Sequence, residues 1–165
     1  MATATITAGA VPAPAMPAVP TTISTRRLIA FLAMVFGMFM AILDIQIVSA
    51  SLAEIQAGLS ASSDEIPWVQ TAYLIAEVVM IPLSGFLSRM LSTRVLFAGA
   101  AAGFTAASAL AATATNIDQM IVYRAIQGFI GGGMIPSVFA AAFTIFPPSR
   151  RAMVSPMIGL VATLA

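Results

Sequence analysis

The stretch RRLIAFLAMVFGMFMAIL, residues 26–43, sets two arginines against sixteen consecutive apolar residues. A helix rises 1.5 Å per residue, so about 20 apolar residues cross a hydrocarbon layer of ~30 Å. Asp44 and a polar continuation to Leu52 complete such a crossing here. Basic residues followed by an apolar core also describe a cleaved signal peptide. The core of this stretch is longer than a signal sequence uses, and that favours a retained membrane span.

The rest of the composition agrees. Of 165 residues, 60% are hydrophobic and only 8% charged, with a mean hydropathy of +1.02. Soluble domains carry about 25% charged residues. Seven basic and six acidic side chains cannot build a water-facing surface for this chain, so lipid is its main solvent. Cysteine and histidine are both absent, which excludes a disulfide framework, a thiolate zinc site and a histidine base. The adjacent acids Asp64 and Glu65 read as a hydrated loop, and no metal site is expected. The glycines of GFIGGG, at 128 and 131–133, do not fit the G-x-G-x-x-G spacing, and the chain has no lysine for a phosphate loop. Neither an enzyme nor a nucleic-acid binder is expected.

Residues 1–25 are Ala/Thr/Pro-rich, uncharged and interrupted by four prolines, and read as a disordered cytoplasmic tail. Residues 26–165 read as a helix bundle with spans over about 28–52, 66–87, 95–115 and 119–146. A fifth apolar segment begins near residue 153 and reaches only half a crossing by 165, as expected of a fragment of a longer protein. The expected fold class is therefore an all-α membrane protein of four full spans and part of a fifth. Arg26, Arg27, Arg89, Arg94, Arg150 and Arg151 fall on one set of loops, and Glu54, Asp64, Glu65 and Asp118 on the other. Under the positive-inside rule this places the N-terminus in the cytoplasm.

In the third span Gly99, Gly103, Ala107 and Ala111 recur every four residues. They offer a smooth stripe for a close neighbour, unless alanine is simply abundant there.

Three ionisable residues remain inside the spans: Asp44, Glu77 and Arg124. Each costs at least ~2.5 kcal/mol to insert, so each needs a partner or a wet cavity. Counting from the span ends puts Asp44 ~24 Å outward along the first span and Arg124 ~9 Å below the outer surface in the fourth. The two share a depth, and we expect them to interact. Arg124 is a permanent cation. Its field favours the charged carboxylate while burial opposes it, an opposition suited to a proton site but equally compatible with a static ion pair. Glu77, ~16 Å into the second span, is a second proton site, a binder of cationic cargo, or a structural group near Gln46. With all three ionised the interior carries −1, which favours cationic cargo. In the fourth span Arg124, Gln127, Gly128 and Gly131 share a face expected to look into the cavity, with Gln46 and Gln70 contributing from other helices. Gly128, Gly132 and Pro136, spaced by four, suggest close packing and then a bend.

Four segments together resemble one family. LDIQIVSASL (43–52), WVQTAYLIAE (68–77), GFLSRMLSTRVLF (85–97) and YRAIQG (123–128) are similar, in order and spacing, to motifs of the major facilitator superfamily. Within it they most resemble the fourteen-helix drug:proton antiporters of the EmrB/QacA type. The resemblance covers about residues 27–165. It implies first and fourth helices lining a central cavity, and cargo exchanged for protons by alternating access. It also implies Asp44 as protonatable acid, Arg124 as the motif arginine, and Gly85, Arg89 and Arg94 in the loop motif. No cofactor is implied beyond the proton gradient. Some members of this type work with a periplasmic adaptor and an outer-membrane channel. The chain departs from the pattern at Arg89, where an acid is usual, and at Ser92, where glycine is. It departs again at Ser49 and Ala53, where Asn and Pro are common. The antiporter motif of the fifth helix would begin just past Gly159. Alternative functions are a metabolite, sugar or siderophore transporter of the same fold, and a non-transporting membrane subunit.

Overall fold

The computed structural model describes residues 24–165, which form seven helices and no strand. These are α1 (Thr25–Ala50), α2 (Leu52–Leu59), α3 (Ile66–Leu91), α4 (Thr93–Ala111), α5 (Ile117–Gly131), α6 (Met134–Ile145) and α7 (Pro148–Leu164). Four helical stretches are long and apolar enough to cross a membrane: α1, α3, α4, and α5 with α6 taken as one. The tail expected over 1–25 lies outside the described residues, except that Ser24 precedes α1 and Thr25 already belongs to it.

Several boundaries differ from the sequence reading. The first span ends at Ala50, and a separate eight-residue helix, α2, follows where a loop was expected. Leu52, Ile55 and Leu59 give this segment one apolar face at helical spacing. It stops at Ser60, which takes a left-handed conformation (φ 53°). The second span continues to Leu91, and the third then starts at Thr93, so the single residue Ser92 reverses the chain. The fifth helix begins at Pro148 rather than near 153, because proline at the first helical position has no N–H to leave unpaired.

The fourth span is broken. α5 ends at Gly131 and α6 begins at Met134, with Gly132 and Gly133 between them. Pro136 cannot donate to the carbonyl four residues back, at Gly132, and its ring crowds that carbonyl. The bend expected at Pro136 therefore falls one turn earlier. The start of α5 is tightly capped. Asn116 Oδ1 accepts from the Gln119 N–H (2.9 Å), and Gln119 Oε1 accepts from the Thr115 N–H (3.1 Å). This reciprocal box fixes the entry of the helix that carries Arg124.

Large apolar side chains cover the outside of the bundle, among them Phe36, Ile75, Val78, Phe86 and Val95. Such a surface is stable in lipid and costly in water. The inside holds an apolar cluster of Phe31, Met38, Val138, Ala141, Phe146 and Ile158, which joins α1, α6 and α7. The rings of Phe31 and Phe146 meet edge-on, with centroids 5.0 Å apart. The inward stripe of α4 is Leu96, Ala100, Gly103 and Ala107 rather than the one expected. A β-carbon on Gly103 would lie 3.0 Å from Ile130 of α5, whereas Gly99 and Ala111 differ: Gly99 has open space and Ala111 is only half-buried. A true 3.6-residue repeat drifts away from a strict four-residue step, and the packed stripe follows the helix.

Candidate functional site

Asp44 stands on α1, six residues before its end, and Arg124 on the second turn of α5. The bundle brings them together across 80 residues of sequence. Arg124 Nη1 donates to Asp44 Oδ2 at 2.5 Å and to Gln127 Oε1 at 2.8 Å. Gln127 Nε2 in turn donates to Asp44 Oδ1 at 3.0 Å. The three side chains form a closed triangle in which both carboxylate oxygens are engaged. A three-residue step on α5 places Arg124 and Gln127 side by side so that both reach α1. This is the only ion pair among the described residues.

The triangle is asymmetric in its exposure. The Arg124 side chain is 2% exposed, while that of Asp44 is 18% exposed. Two clefts, of about 390 and 180 Å³, both reach Asp44. The larger runs between α1 and α4 past Phe36, Met40 and Phe104. The smaller is walled by Val48, Ile55, Ser108 and Met120 and also reaches Arg124 and Gln127. Asp44 is thus the more open member of the pair and Arg124 the more enclosed.

Arg124 has a third neighbour that the sequence reading did not single out. Its guanidinium carbon lies 4.3 Å from the ring centroid of Tyr73 on α3. Tyr73 is fully buried, and its hydroxyl, together with Arg124 Nε and Nη2, has no hydrogen-bond partner. The available signal was spacing, because Gln70, Tyr73 and Glu77 lie three and four residues apart and share a helix face.

The other expected site residues sort differently. Gln70 is near the site: its Nε2 donates to the Ile45 carbonyl at 3.4 Å, and its Oε1 is buried without a partner. Glu77 is buried one turn beyond Tyr73 and makes no ion pair. Gln46 is exposed, takes no part in the triangle and has no hydrogen bond to Glu77. Gly128 and Gly131 do not line open space either. A β-carbon on Gly128 would run into the backbone of Tyr73, and one on Gly131 would lie 2.8 Å from the Phe104 ring. Both are contact surfaces for α3 and α4, because an arc of helix about 100° wide in a bundle touches more than one neighbour. The loop-motif residues Gly85, Arg89 and Arg94 lie exposed at the other end of α3 and the start of α4. Arg94 lines a separate cleft of about 350 Å³ with Arg27, Met34 and Phe97.

Lipid-facing helices around a buried acid–arginine–glutamine cluster define a multi-pass helical membrane protein with a polar centre. The model of the Major Facilitator Superfamily matches residues 34–165, and the chain belongs to that family. It is 54% identical over 134 residues to the colistin resistance protein EmrB of Acinetobacter baumannii, covering 81% of this chain and 26% of the relative. It is 36% identical over 115 residues to the fatty acid resistance protein FarB of Neisseria gonorrhoeae (70% and 23%). Against multidrug resistance protein 3 of Bacillus subtilis it is 35% identical over 134 residues (81% and 26%). The chain thus spans about a quarter of the length of the curated relatives it matches.

Proposed function

We propose that this chain is part of a proton-coupled multidrug efflux transporter, exporting hydrophobic, mainly cationic compounds across the cytoplasmic membrane. The observation that carries this reading is the Asp44–Arg124–Gln127 triangle, a buried fixed cation held by an acid that opens onto two clefts. The relatives' names, with their resistance to colistin, fatty acids or several drugs, support export of hydrophobic compounds, while the cationic preference rests on the net negative charge of Asp44, Glu77 and Arg124.

In this reading the proton gradient is the only energy source, and Asp44 is where it acts. Binding of a proton removes the negative charge that Arg124 and Gln127 share. The contact between α1 and α5 then weakens, since a charge-assisted hydrogen bond is roughly twice as strong as a neutral one. Release of the proton restores it. Cationic cargo acts in the same direction as the proton by competing for the carboxylate. Arg27, Arg89, Arg94 and the two arginines of the first turn of α7, Arg150 and Arg151, lie on the side read as cytoplasmic, which also puts the N-terminus there. A periplasmic adaptor and an outer-membrane channel are partners consistent with this type of exporter.

The test is proton-driven efflux of a cationic dye from inverted vesicles carrying the complete transporter, wild type beside Asp44→Asn. The asparagine keeps the shape but cannot take up and release the proton. Loss of proton-driven transport at equal protein level is expected, and undiminished transport would remove Asp44 from the coupling.

A further inference from the structure

We propose that Tyr73 is a positioning residue: its ring face keeps the Arg124 guanidinium in place while Asp44 is protonated. The inference rests on the proton-coupling reading of Asp44 and adds a residue to it.

The argument starts from what surrounds the cation. Of the guanidinium nitrogens, only Nη1 is hydrogen-bonded, to Asp44 and to Gln127. Nε and Nη2 are buried with no partner. One face of the group lies over the Tyr73 ring at 4.3 Å. A protonated Asp44 no longer offsets the charge, and the cation cannot lose its own proton. What remains is the amide oxygen of Gln127 and the negative face of the ring. A desolvated cation over an aromatic face is held well beyond ordinary contact, and a buried unpaired charge is otherwise strongly disfavoured.

The ring is itself fixed. Tyr73 is fully buried, its backbone lies against Gly128, and its hydroxyl lies 3.4 Å from where a β-carbon of Gly131 would be. The two glycines thus admit the tyrosine rather than cargo. Because the hydroxyl has no hydrogen-bond partner, the π face carries the function. The charged and titratable groups facing the cation are Asp44 from α1 and Tyr73 and Glu77 from α3; α4 and α6 present none. Glu77 is the rival counter-charge. It makes no ion pair with Arg124, whereas the ring already lies against it.

The experiment places phenylalanine, then mono-, di- and trifluorophenylalanine, at position 73 of the complete transporter by nonsense suppression. Fluorination empties the ring face of negative potential while scarcely changing its shape, so folding is preserved. Two rates are read on each protein: proton-driven efflux, and substrate counterflow without a gradient, which needs binding and exchange but no net protonation. Tyr73→Phe is expected to match wild type in both. Each added fluorine should lower proton-driven efflux, to about tenfold below wild type for the trifluoro ring, with counterflow kept. Tyr73→Leu should behave as the trifluoro ring does. A flat series, or an equal fall in both rates, overturns the proposal, as does a Phe variant as weak as Leu. Glu77→Gln should leave the series unchanged; a series that flattens in that background would assign the role to Glu77. Asp44→Asn is run alongside. If it keeps proton-driven efflux, the coupling reading fails; if it loses it while the fluorine series is flat, only the role of Tyr73 fails.

Discussion

Gly128→Ala adds one methyl group where the structure has no room. The new β-carbon would lie 2.9 Å from both Cα and the carbonyl carbon of Tyr73, and closer still to its oxygen. Ordinary contact begins at 3.4 Å, so α3 and α5 must part by at least 0.5 Å to relieve the carbon contacts alone. The obstacle is backbone in the middle of a helix, which no rotamer change can move. Overpacking of this kind costs about 1–3 kcal/mol. Against that, alanine gains up to ~1 kcal/mol over glycine inside a helix. Gly99→Ala on α4 isolates the two effects, because Gly99 has nothing within 4 Å and receives only the propensity gain. Unfolding in detergent, followed by loss of helical ellipticity, should therefore place Gly128→Ala about 1–3 kcal/mol below Gly99→Ala. Moving α5 off α3 also draws Arg124 from the Tyr73 ring, so efflux should fall with stability. If the two alanine variants unfold together, the close packing of α5 on the Tyr73 backbone is not what holds this pair of helices.

Two further outcomes are expected. Ser92 alone joins α3 to α4 at φ 67° and ψ 148°, a region nearly reserved for glycine, so Ser92→Gly should stabilise the protein by about 1 kcal/mol in the same unfolding assay, and Ser92→Val should destabilise it. In the turn before α3, the Ser62 N–H and hydroxyl both donate to the Glu65 carboxylate at 2.8 Å and hold its pKa below the ordinary 4.5, so the turn is firmest above that pH and loosens as pH falls through the lowered value; protection of the Ser62 amide, taken relative to its unfolded exchange rate at each pH, should show this, and Glu65→Gln should abolish the pH dependence of that protection.

The membrane class and the Asp44–Arg124 pair were legible because both follow from scarcity. With so few charges, those inside the spans stand out, and a rise of 1.5 Å per residue is enough to match their depths. Helix ends were less legible where a backbone device sets them. The positive φ of Ser92 and the break before Met134 leave only weak marks in a hydropathy profile. The faces of the glycines were misjudged for another reason. Gly128 and Gly131 do share an arc with Arg124 and Gln127, but long side chains reach across to α1 while glycine takes the helix nearest its own backbone. Tyr73 carries only a weak signal, its spacing from Gln70 and Glu77, because a neutral aromatic in an apolar run looks like any core residue until its neighbour is known.

The glycines and the cation are linked by register. Gly128 lies against the backbone of Tyr73, and Gly132, the C-cap of α5, lies against that of Glu77, so a four-residue step from α5 to its cap meets a four-residue step on α3. The two helices therefore run in the same direction with matched turns. Sliding one past the other by a single turn, about 5.4 Å, would set Gly128 against Glu77 and carry Arg124 away from the Tyr73 ring. Any residue with a β-carbon at 128 or 132 would open the contact and release that register. The apolar glycines of the fourth span thus do electrostatic service at a distance: by fixing how α3 and α5 interlock, they decide which ring lies under the cation and where that cation meets Asp44.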